Sequence, residues 1–419
     1  MFTSIVSVAV FIGVLITFHE FGHLIVAKIA RIPVESFSIG FGPVILKRKI
    51  GETEYRISLV PLGGYIKMIG EEDPQQGGFS NQPLGIRVAV IAAGPVSNLM
   101  LGFLIMLMIF SIFGIKYLSP VIYPVPNSNA QSAGLMSGDI ILCAEKETIP
   151  DFETLQKTLE KNIGNDITLK VRRNETTLQL TYHVPESLDI EPLLVPVIDR
   201  VRAGSPAAKI GLKPGDRIIS IAGVKIQRWE EFVETVMQNA GNRIEIAYRR
   251  RDVVIVDSIT PALERDQLSN QAFGQIGVWV RLPKRSLSPL GAVREALRRT
   301  GYITVQTFVI LYKVITRQIS TRAIGGPIMV AKIAYEGASW GAEYFLALWA
   351  LLSINLFVVN MLPVPVLDGG RILLDLIGGI RRRRLSEKEL AWASNVGWVL
   401  IGLLVVFTIL NDLARLIRK

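Results

Sequence analysis

The chain has 419 residues, which is enough for two or three domains. Half of the residues are hydrophobic and the mean hydropathy is +0.39, yet charged residues still make up 20%. This balance excludes an ordinary soluble protein and predicts membrane helices that alternate with soluble modules. The one cysteine, Cys143, excludes an intramolecular disulfide and a zinc cage built from cysteines.

Four apolar stretches are long enough to cross a bilayer, which takes about 20 residues of helix. They cover about 3–27, 88–115, 344–362 and 392–410. A fifth stretch, about 302–315, is flanked by arginines, and its length predicts an amphipathic helix at the membrane interface rather than a span. The first stretch lacks the basic start and the cleavage site of a signal peptide, so we expect it to be retained.

Basic residues near the span ends predict the orientation of the spans. Lysines and arginines cluster after the first span, and four consecutive arginines, 381–384, lie between the third and fourth. Four spans place both basic segments on one side, which we expect to be the cytoplasm. The segment 116–343 is then extracytoplasmic. The net charge of +10 is mostly accounted for in this way, and we expect no nucleic-acid partner.

The extracytoplasmic segment contains an internal repeat with an offset of 77 residues. The matching pairs include Gly134 with Gly211, Asp139 with Asp216, Ile141 with Ile218, Phe152 with Trp229, and Leu169 with Ile246. An ungapped repeat of this kind is typical of domain duplication. It predicts two tandem α/β domains, 119–195 and 196–283.

The second repeat resembles PDZ domains of bacterial proteases, through Ser205-Pro206-Ala207-Ala208 and the run Gly211–Ile218. A PDZ domain binds an extended peptide at a sheet edge. The resemblance implies that substrate or peptide C-termini contact Ile276, Gly277 and Val278; a spacer with an empty groove is the alternative. In the first repeat Asp189 replaces a glycine of the binding turn, and we expect it to crowd that groove.

The end of the first span carries His19-Glu20-Phe21-Gly22-His23, a HExxH motif. Residues four apart lie on one helix face, so both imidazoles can reach one zinc ion, while Glu20 can hold and deprotonate the attacking water. Two histidines and a carboxylate are unfavourable in an apolar span unless they have a partner such as a metal. A catalytic zinc also needs a third protein ligand.

The third ligand is less clearly indicated by the sequence. The remaining histidine, His183, lies in the extracytoplasmic segment, so a carboxylate at membrane depth is required. Asp368 is favoured because it follows the third span, in a segment where two prolines break the helix. Asp375 and Asp412 are the alternatives, although a solvated helix face and a helix end explain them adequately.

These motifs together resemble the bacterial branch of the site-2 protease family of intramembrane metalloproteases. The resemblance includes Gly94-Pro95-Val96-Ser97-Asn98, the segment Asn360–Gly370, and the segments 37–42 and 61–68. It implies one zinc ion held by His19, His23 and Asp368, with Glu20 as the catalytic base. Asn360 is implied to bind the substrate backbone or the developing oxyanion. Arg371 stands where relatives often have histidine, and we expect no ligand there.

The resemblance also implies a biological role. The substrate is expected to be a single-span membrane protein, such as an anti-sigma factor or a remnant signal peptide. It is expected to be cut after an earlier trimming cleavage, with the PDZ pair as a size filter. The location is expected to be the bacterial inner membrane, in contact with lipid, with the PDZ-like domains periplasmic and the zinc site toward the cytoplasm.

The segment 53–68 predicts two short strands around Pro61-Leu62-Gly63-Gly64, because Tyr55, Ile57 and Leu59 alternate. It is either an ordinary cytoplasmic hairpin or one that dips toward the zinc. In the second case Gly63, Gly64 and Tyr65 are candidates for pairing with unwound substrate. The resemblance favours the second.

The predicted fold is a polytopic α-helical membrane protein with four transmembrane helices, two tandem α/β PDZ-like domains and a membrane-associated β-hairpin. The expected segments are span 1 with HExxH (1–30), a cytoplasmic or re-entrant β segment (31–87), span 2 (88–116), the PDZ-like domains (119–195 and 196–283), an interfacial helical region (284–341), span 3 with the Leu-Asp-Gly motif (342–380), a basic cytoplasmic loop (381–391), and span 4 with the tail (392–419).

A non-catalytic PDZ scaffold and a zinc transporter are the competing hypotheses. A scaffold gives no reason for Glu20, and a transporter needs more polar residues in its spans.

Overall fold

The computed structural model describes residues 2–71, 78–265, 272–318, 326, 329, 337, 340–381, 383 and 385–417. The chain divides into two compact units. We call Met1–Phe113 with Leu287–Lys419 the helical unit, and Gly114–Ser286 the repeat unit.

The helical unit is built around long apolar helices. The described helices of the whole chain are α1 (Phe2–Ile29), α2 (Leu84–Ile112), α3 (Asn129–Ser132), α4 (Phe152–Glu160), α5 (Pro206–Lys209), α6 (Trp229–Gln238), α7 (Pro289–Ile315), α8 (Ala342–Asn360), α9 (Asp368–Ile380) and α10 (Glu387–Ile417). Among described residues, three stretches are long and apolar enough to cross a membrane: Leu84–Ile112, Ala342–Asn360 and Lys388–Leu413. They coincide with the second, third and fourth predicted spans. Helix α1 covers the first, but its side chains are described only from Gly13 onward, so the count of four spans stays a prediction.

Helix α2 lies between α1 and α8, and small residues allow the close approach. A Cβ atom added at Gly22 of α1 would lie 2.2 Å from the Ala93 carbonyl oxygen of α2. A Cβ added at Gly102 would lie 2.5 Å from Ile354 on α8. Close packing through small residues is how helices associate in lipid, where burial of apolar surface gives little driving force.

The interfacial helix predicted at 302–315 is in fact much longer. Helix α7 has 27 residues, and the Ser288 side chain accepts a hydrogen bond from the Gly291 amide at its start. It packs against α2 and α8, and Thr307 Oγ1 donates a 2.8 Å hydrogen bond to Asn355 Oδ1 on α8. The prediction was too short because it treated Arg298 and Arg299 as a boundary. Charged residues on the exposed face of a helix do not end it.

The β segment after α1 consists of strands β1 (Val34–Ile50) and β2 (Thr53–Met68), which pair with each other. Their register shows that both strands bend. Ser36 is paired with both Glu54 and Lys67, and Ile39 with both Ile57 and Gly64. The first part of β1 therefore lies between the two ends of β2, while its second part pairs outside, from Val44 to Ile50. The hairpin predicted around 61–64 is therefore wrong: its two strands are the ends of one strand, β2, and each end pairs with β1, which was not predicted, rather than with the other end.

The repeat unit contains two similar four-stranded sheets. Strands β3–β9 are Ile115–Lys116, Ile122–Pro124, Ile140–Ala144, Glu147–Thr148, Asp166–Arg173, Thr176–His183 and Ile190–Pro192. Strands β10–β18 are Ile198–Val201, Arg217–Ile221, Val224–Lys225, Ile244–Arg250, Val253–Ile259, Ala262–Arg265, Ala272–Gln275, Val278–Val280 and Lys284–Arg285. The sheet orders, β6-β5-β7-β8 and β12-β11-β13-β14, are equivalent. Each repeat has its own apolar core, to which α4 contributes Leu155 and α6 contributes Phe232.

An arginine–aspartate pair is duplicated with the repeat. Arg173 binds Asp139 through Nε (2.8 Å) and Nη2 (2.7 Å), and Arg250 binds Asp216 with the same two distances. Both aspartates are almost fully buried. Bidentate Arg–carboxylate pairs are strong and directional, so each one fixes the Gly-Asp turn to the end of the neighbouring strand, β7 or β13. The arginines are also 77 residues apart, a signal present in the sequence that was not used.

Candidate metal centre

Three side chains from two distant helices meet in the helical unit. His19 Nε2 lies 2.9 Å from Asp368 Oδ2, and His23 Nε2 lies 3.7 Å from the same oxygen. The two Nε2 atoms are 3.3 Å apart. Each histidine is 7% exposed. One potential ligand atom of each residue lies within 4.8 Å of the other two, which is a distance that one metal ion can bridge.

The His23 ring is oriented by α2. Its Nδ1 lies 2.8 Å from the Val90 carbonyl oxygen and donates to it, so the proton is on Nδ1 and the Nε2 lone pair faces Asp368. The ring fits because residue 94 is glycine. A Cβ atom at Gly94 would lie 2.2 Å from His23 Nε2. This steric requirement explains why the motif Gly94-Pro95-Val96-Ser97-Asn98 begins with glycine.

The His19 ring is oriented by two asparagines. Asn98, which is fully buried, has its side-chain Nδ2 3.2 Å from His19 Nδ1, and Asn360 Nδ2 lies 3.4 Å from the same atom. A metal-binding Nε2 requires the proton on Nδ1, and this proton needs an acceptor. The Asn98 amide accepts it only when oriented with Oδ1, rather than Nδ2, toward the ring. Asn98 is the last residue of the Gly94–Asn98 motif, and the sequence alone indicates no role for it.

Asp368 is the first residue of α9, after a tightly folded loop. A Cβ atom at Gly369 would lie 2.4 Å from the Met361 carbonyl oxygen, and one at Gly370 would lie 2.0 Å from that of Val364. The two glycines thus let the loop fold back against the start of α9. A carboxylate at a helix N-terminus is also favoured by the helix dipole.

The alternative third ligands lie elsewhere. Asp375 pairs with Arg87 at 3.3 Å. Asp412 accepts hydrogen bonds from the backbone amides of Gly326 (3.0 Å) and Met329 (3.2 Å). His183 is in the repeat unit, where it contacts Asp166. The structure brings Asp368, and neither of the other two aspartates, to the histidines.

Glu20 faces the same cavity, beside the end of β2. Its Oε2 accepts a 3.2 Å hydrogen bond from the Ile66 amide, and a Cβ at Gly64 would lie 3.7 Å from Glu20 Cγ. Gly63 has a φ of +143°, a conformation that favours glycine. The Tyr65 hydroxyl accepts a hydrogen bond from Arg56, and its ring stacks on Phe41. The predicted glycines therefore bring backbone, rather than side chains, next to Glu20.

The cavity has a volume of about 230 Å³ and mixes polar and apolar walls. It is lined by His19, Glu20, His23, Ile66, Met68, Glu71, Phe79, Ile91, Asn360, Val366, Leu367, Asp368 and Arg371. Two imidazole nitrogens, one carboxylate oxygen and an open side match the donor set of a catalytic zinc site, which keeps one position for water or substrate. The residues present therefore fit a zinc ion.

The residues predicted to bind peptide in the second repeat have structural roles. Ile276 is 2% exposed and belongs to the core, so its side chain is not available to a ligand. Gly277 has a φ of +78°, and a Cβ there would lie 2.6 Å from Ser205 Cβ. Val278 pairs with Val201. Only the backbone of this turn and the edge of β17 remain as candidates for peptide contact.

Asp189 does not extend into a groove as a free charge. It accepts a 2.9 Å hydrogen bond from the Ala130 amide and a short one from the Tyr182 hydroxyl. Burial and this hydrogen bond raise the pKa of Tyr182, which keeps its hydroxyl protonated as the donor. The carboxylate is thus engaged inside the first repeat, and the crowding that we expected is not its main effect.

The comparisons with known proteins are consistent with this site. A model of peptidase family M50 matches residues 7–404. The chain belongs to peptidase family M50. It is a membrane-bound zinc metalloprotease, in agreement with the resemblance to the site-2 proteases in the sequence.

The M50 relatives match the chain over nearly its full length. The regulator of sigma-E protease RseP of Salmonella typhimurium is 34% identical, over 97% of each chain. RseP of Escherichia coli is 33% identical, over 99% of each. A protein of Neisseria meningitidis named as a zinc metalloprotease is 31% identical, over 96% of this chain and 97% of its own.

A solved structure matches a part of the chain. It is the PDZ domain of an SdrC-like protein from Listeria monocytogenes. The match has 22% identity and a TM-score of 0.17, and it covers 20% of this chain and 84% of that one.

We expect Gly94→Ala to lower zinc affinity by about 10- to 100-fold, as is usual when the support of a metal ligand is lost. The added methyl group would overlap His23 Nε2 and displace the ring. Gly85→Ala is the matched control on α2, because no atom lies within 4 Å of the added Cβ. Zinc content of the purified proteins, measured against a competing chelator, is the readout. Equal affinity in Gly94→Ala and wild type would contradict this role.

Proposed function

We propose that this M50 protease hydrolyses peptide bonds inside the membrane, in single-span membrane proteins. His19, His23 and Asp368 hold the zinc ion and Glu20 is the catalytic base. The observation that carries the proposal is the meeting of these four side chains in one cavity, beside the end of β2. A bound zinc ion supplies Lewis-acid chemistry: it polarises the scissile carbonyl and makes water easier to deprotonate.

Each residue of the proposed site has a separate role in the reaction. Glu20 is placed to take a proton from the attacking water and to deliver it to the leaving amine. The Val90 carbonyl holds the His23 imidazole in the tautomer that presents Nε2, and Asn98 lies beside His19 Nδ1, where its amide oxygen would accept the corresponding proton. The buried surroundings limit the access of bulk water and so strengthen each charge interaction within the site.

Substrate binding is proposed at the last segment of β2. The carbonyls of a transmembrane helix are engaged in internal hydrogen bonds, so the helix must unwind before it can be cut. The end of β2 around Gly63, Gly64 and Tyr65 lies next to Glu20, and unwound substrate can add to it as a further strand. The hydrogen bond between the Ile66 amide and Glu20 supports this, because it places a strand amide at the base itself.

Asn360 is proposed to bind the substrate. It ends α8, lines the cavity and lies further from His19 Nδ1 than Asn98 does. Since the buried Asn98 is sufficient to orient the ring, the Asn360 amide can donate to charge that develops on the carbonyl oxygen.

The names of the RseP relatives suggest the biological substrate. They are called regulators of sigma-E protease, which points to an anti-sigma factor. We propose an anti-sigma factor or a remnant signal peptide as substrate, cut after an earlier trimming cleavage. The location is proposed to be the bacterial inner membrane.

Glu20→Gln should lower the cleavage rate by at least about 100-fold while zinc stays bound, because a general base typically contributes 10²- to 10⁴-fold. His19→Ala, His23→Ala and Asp368→Ala should each lose zinc as well as activity. Asp375→Asn is the control on α9 and should retain both. The measurements are metal content and cleavage of a single-span substrate in detergent. Full zinc and full activity in Asp368→Ala would remove it from the site.

Asn360→Ala should lower kcat by about 10²- to 10³-fold, the usual effect of removing one oxyanion donor. Zinc content should stay at the wild-type value, because Asn98 still orients His19. If Asn360 only joined helices, the variant would lose thermal stability and expression instead. Wild-type turnover would exclude both roles.

The orientation is proposed from the basic residues near the span ends. Reporter fusions should place the position after Lys116 outside the cytoplasm and Arg383 inside, because basic loops are retained in the cytoplasm. The repeat unit would then be periplasmic. Reporters that place both positions on the same side would show that the span count is wrong.

The repeat unit is proposed to act as a size filter. It is inserted in the sequence between α2 and α7, and in this proposal it excludes a substrate that still carries a bulky external domain. Deletion of about 121–282, with a short linker, should allow cleavage of an untrimmed single-span substrate and change little for a trimmed one. Unchanged relative rates for the two substrates would instead favour partner docking or a spacer.

A further inference from the structure

An ion pair closes one side of the cavity. Arg371 Nη2 lies 2.6 Å from Glu71 Oε1, and both residues line the cavity together with the proposed metal ligands. Arg371 is three residues after Asp368 on α9, and so lies on the same helix face, about 4.5 Å further along the axis. From the sequence, Arg371 is expected only not to bind metal.

The other partner is tied to the end of β2. Glu71 follows this strand by three residues, and the chain around it is held by backbone hydrogen bonds from Ile69 to Pro33 and from Phe79 to Ile69, each 2.9 Å. Phe79 is buried in the core formed with α1 and α2. The position of Glu71 is therefore tied to that of the end of β2, which lies beside Glu20.

We propose that Arg371 and Glu71 are positioning residues for substrate. Their ion pair fixes the distance between the end of β2, where substrate is proposed to pair, and the start of α9, which carries Asp368. The proposal rests on the proposed function, since it assigns the substrate-pairing edge to β2. A substrate strand that pairs with a displaced edge would present its scissile carbonyl away from the metal and Glu20.

The position of the ion pair indicates a larger effect on the placement of the substrate-pairing strand than on folding stability. The side chain of Arg371 is 45% exposed and that of Glu71 is 21% exposed. Exposed ion pairs contribute little to folding, because water screens the charges. In contrast, displacement of a reacting group by about 1 Å can lower a rate by about 100-fold. Loss of the pair should therefore show in substrate binding and turnover before it shows in thermal stability.

The chain offers a matched control on the same helix. Arg87 on α2 and Asp375 on α9 form another arginine–carboxylate pair, at 3.3 Å, and neither residue lines the cavity. This pair also joins α9 to a neighbouring element. Asp375 also interacts electrostatically with Arg371, so the control variant is Arg87→Ala, which leaves Asp375 in place.

The test is a double-mutant cycle in the full-length protein, with Arg371→Ala, Glu71→Ala and the double variant. KM and kcat are measured with a trimmed single-span substrate, alongside zinc content and Tm. We expect each single variant to lower kcat/KM by about 10-fold or more with zinc retained, and the double variant to add no further loss, because the two residues act as a unit. Arg371→Lys should recover part of the loss, and Arg87→Ala should leave kcat/KM unchanged.

Two results would overturn the proposal. One is a kcat/KM within twofold of wild type in both single variants. The other is a loss in Arg371→Ala that Glu71→Ala does not reproduce, which would show that Arg371 acts on the substrate or metal directly. Failure of the proposed function is separately visible, since the wild-type protein would then lack zinc or fail to cleave the substrate.

Discussion

A buried imidazole that binds metal needs both of its nitrogens satisfied, one by the ion and the other by an acceptor in the protein. In this chain the requirement falls on α1, an apolar helix in which unpaired polar groups are strongly disfavoured. Helix α2 meets it for His23 through the Val90 carbonyl, and it places the Asn98 amide beside Nδ1 of His19. The position of α2 is fixed in turn from α8, where Ser353 donates a 2.7 Å hydrogen bond to the Asn98 carbonyl. The packing of α1, α2 and α8 is therefore coupled to the orientation of the His19 and His23 rings.

Glycines, which have no side chain, make this arrangement sterically possible. A Cβ atom added at Gly22, Gly94, Gly369 or Gly370 would lie within 2.5 Å of a neighbouring atom. The glycines at 94, 369 and 370 lie next to the proposed ligands, in short motifs whose role the sequence alone does not explain. The reason is space: a ring nitrogen or a carbonyl occupies the volume that a methyl group would take.

Local patterns made part of this structure predictable. The HExxH spacing places His19, Glu20 and His23 on one helix face, and the apolar runs predict the helices that carry them. Asp368 was favoured over Asp375 and Asp412 by its broken-helix context, and the structure brings it to the histidines. The partners of these residues were not predictable, since Asn98 and Val90 meet α1 only through tertiary packing.

The sequence predictions that were wrong or incomplete also depended on tertiary contacts. The two ends of β2 were expected from alternation, but their shared partner, β1, depends on pairing between residues far apart in sequence. Helix α7 was taken as short because charge was used as a boundary, whereas burial of Ala292, Ala296 and Thr300 continues the helix toward its N-terminus. Asp189 was interpreted by its charge alone, and its hydrogen bond from Tyr182 could not be seen in the sequence.

The order of the proposed ligands along the chain has a consequence for biosynthesis. His19 and His23 emerge from the ribosome well before Asp368, which follows the entire repeat unit. During this interval the two imidazoles lack the Asp368 carboxylate, and the proposed donor set for a metal is incomplete. With these ligands, the capacity to cut membrane proteins arises only once α9 has joined the bundle.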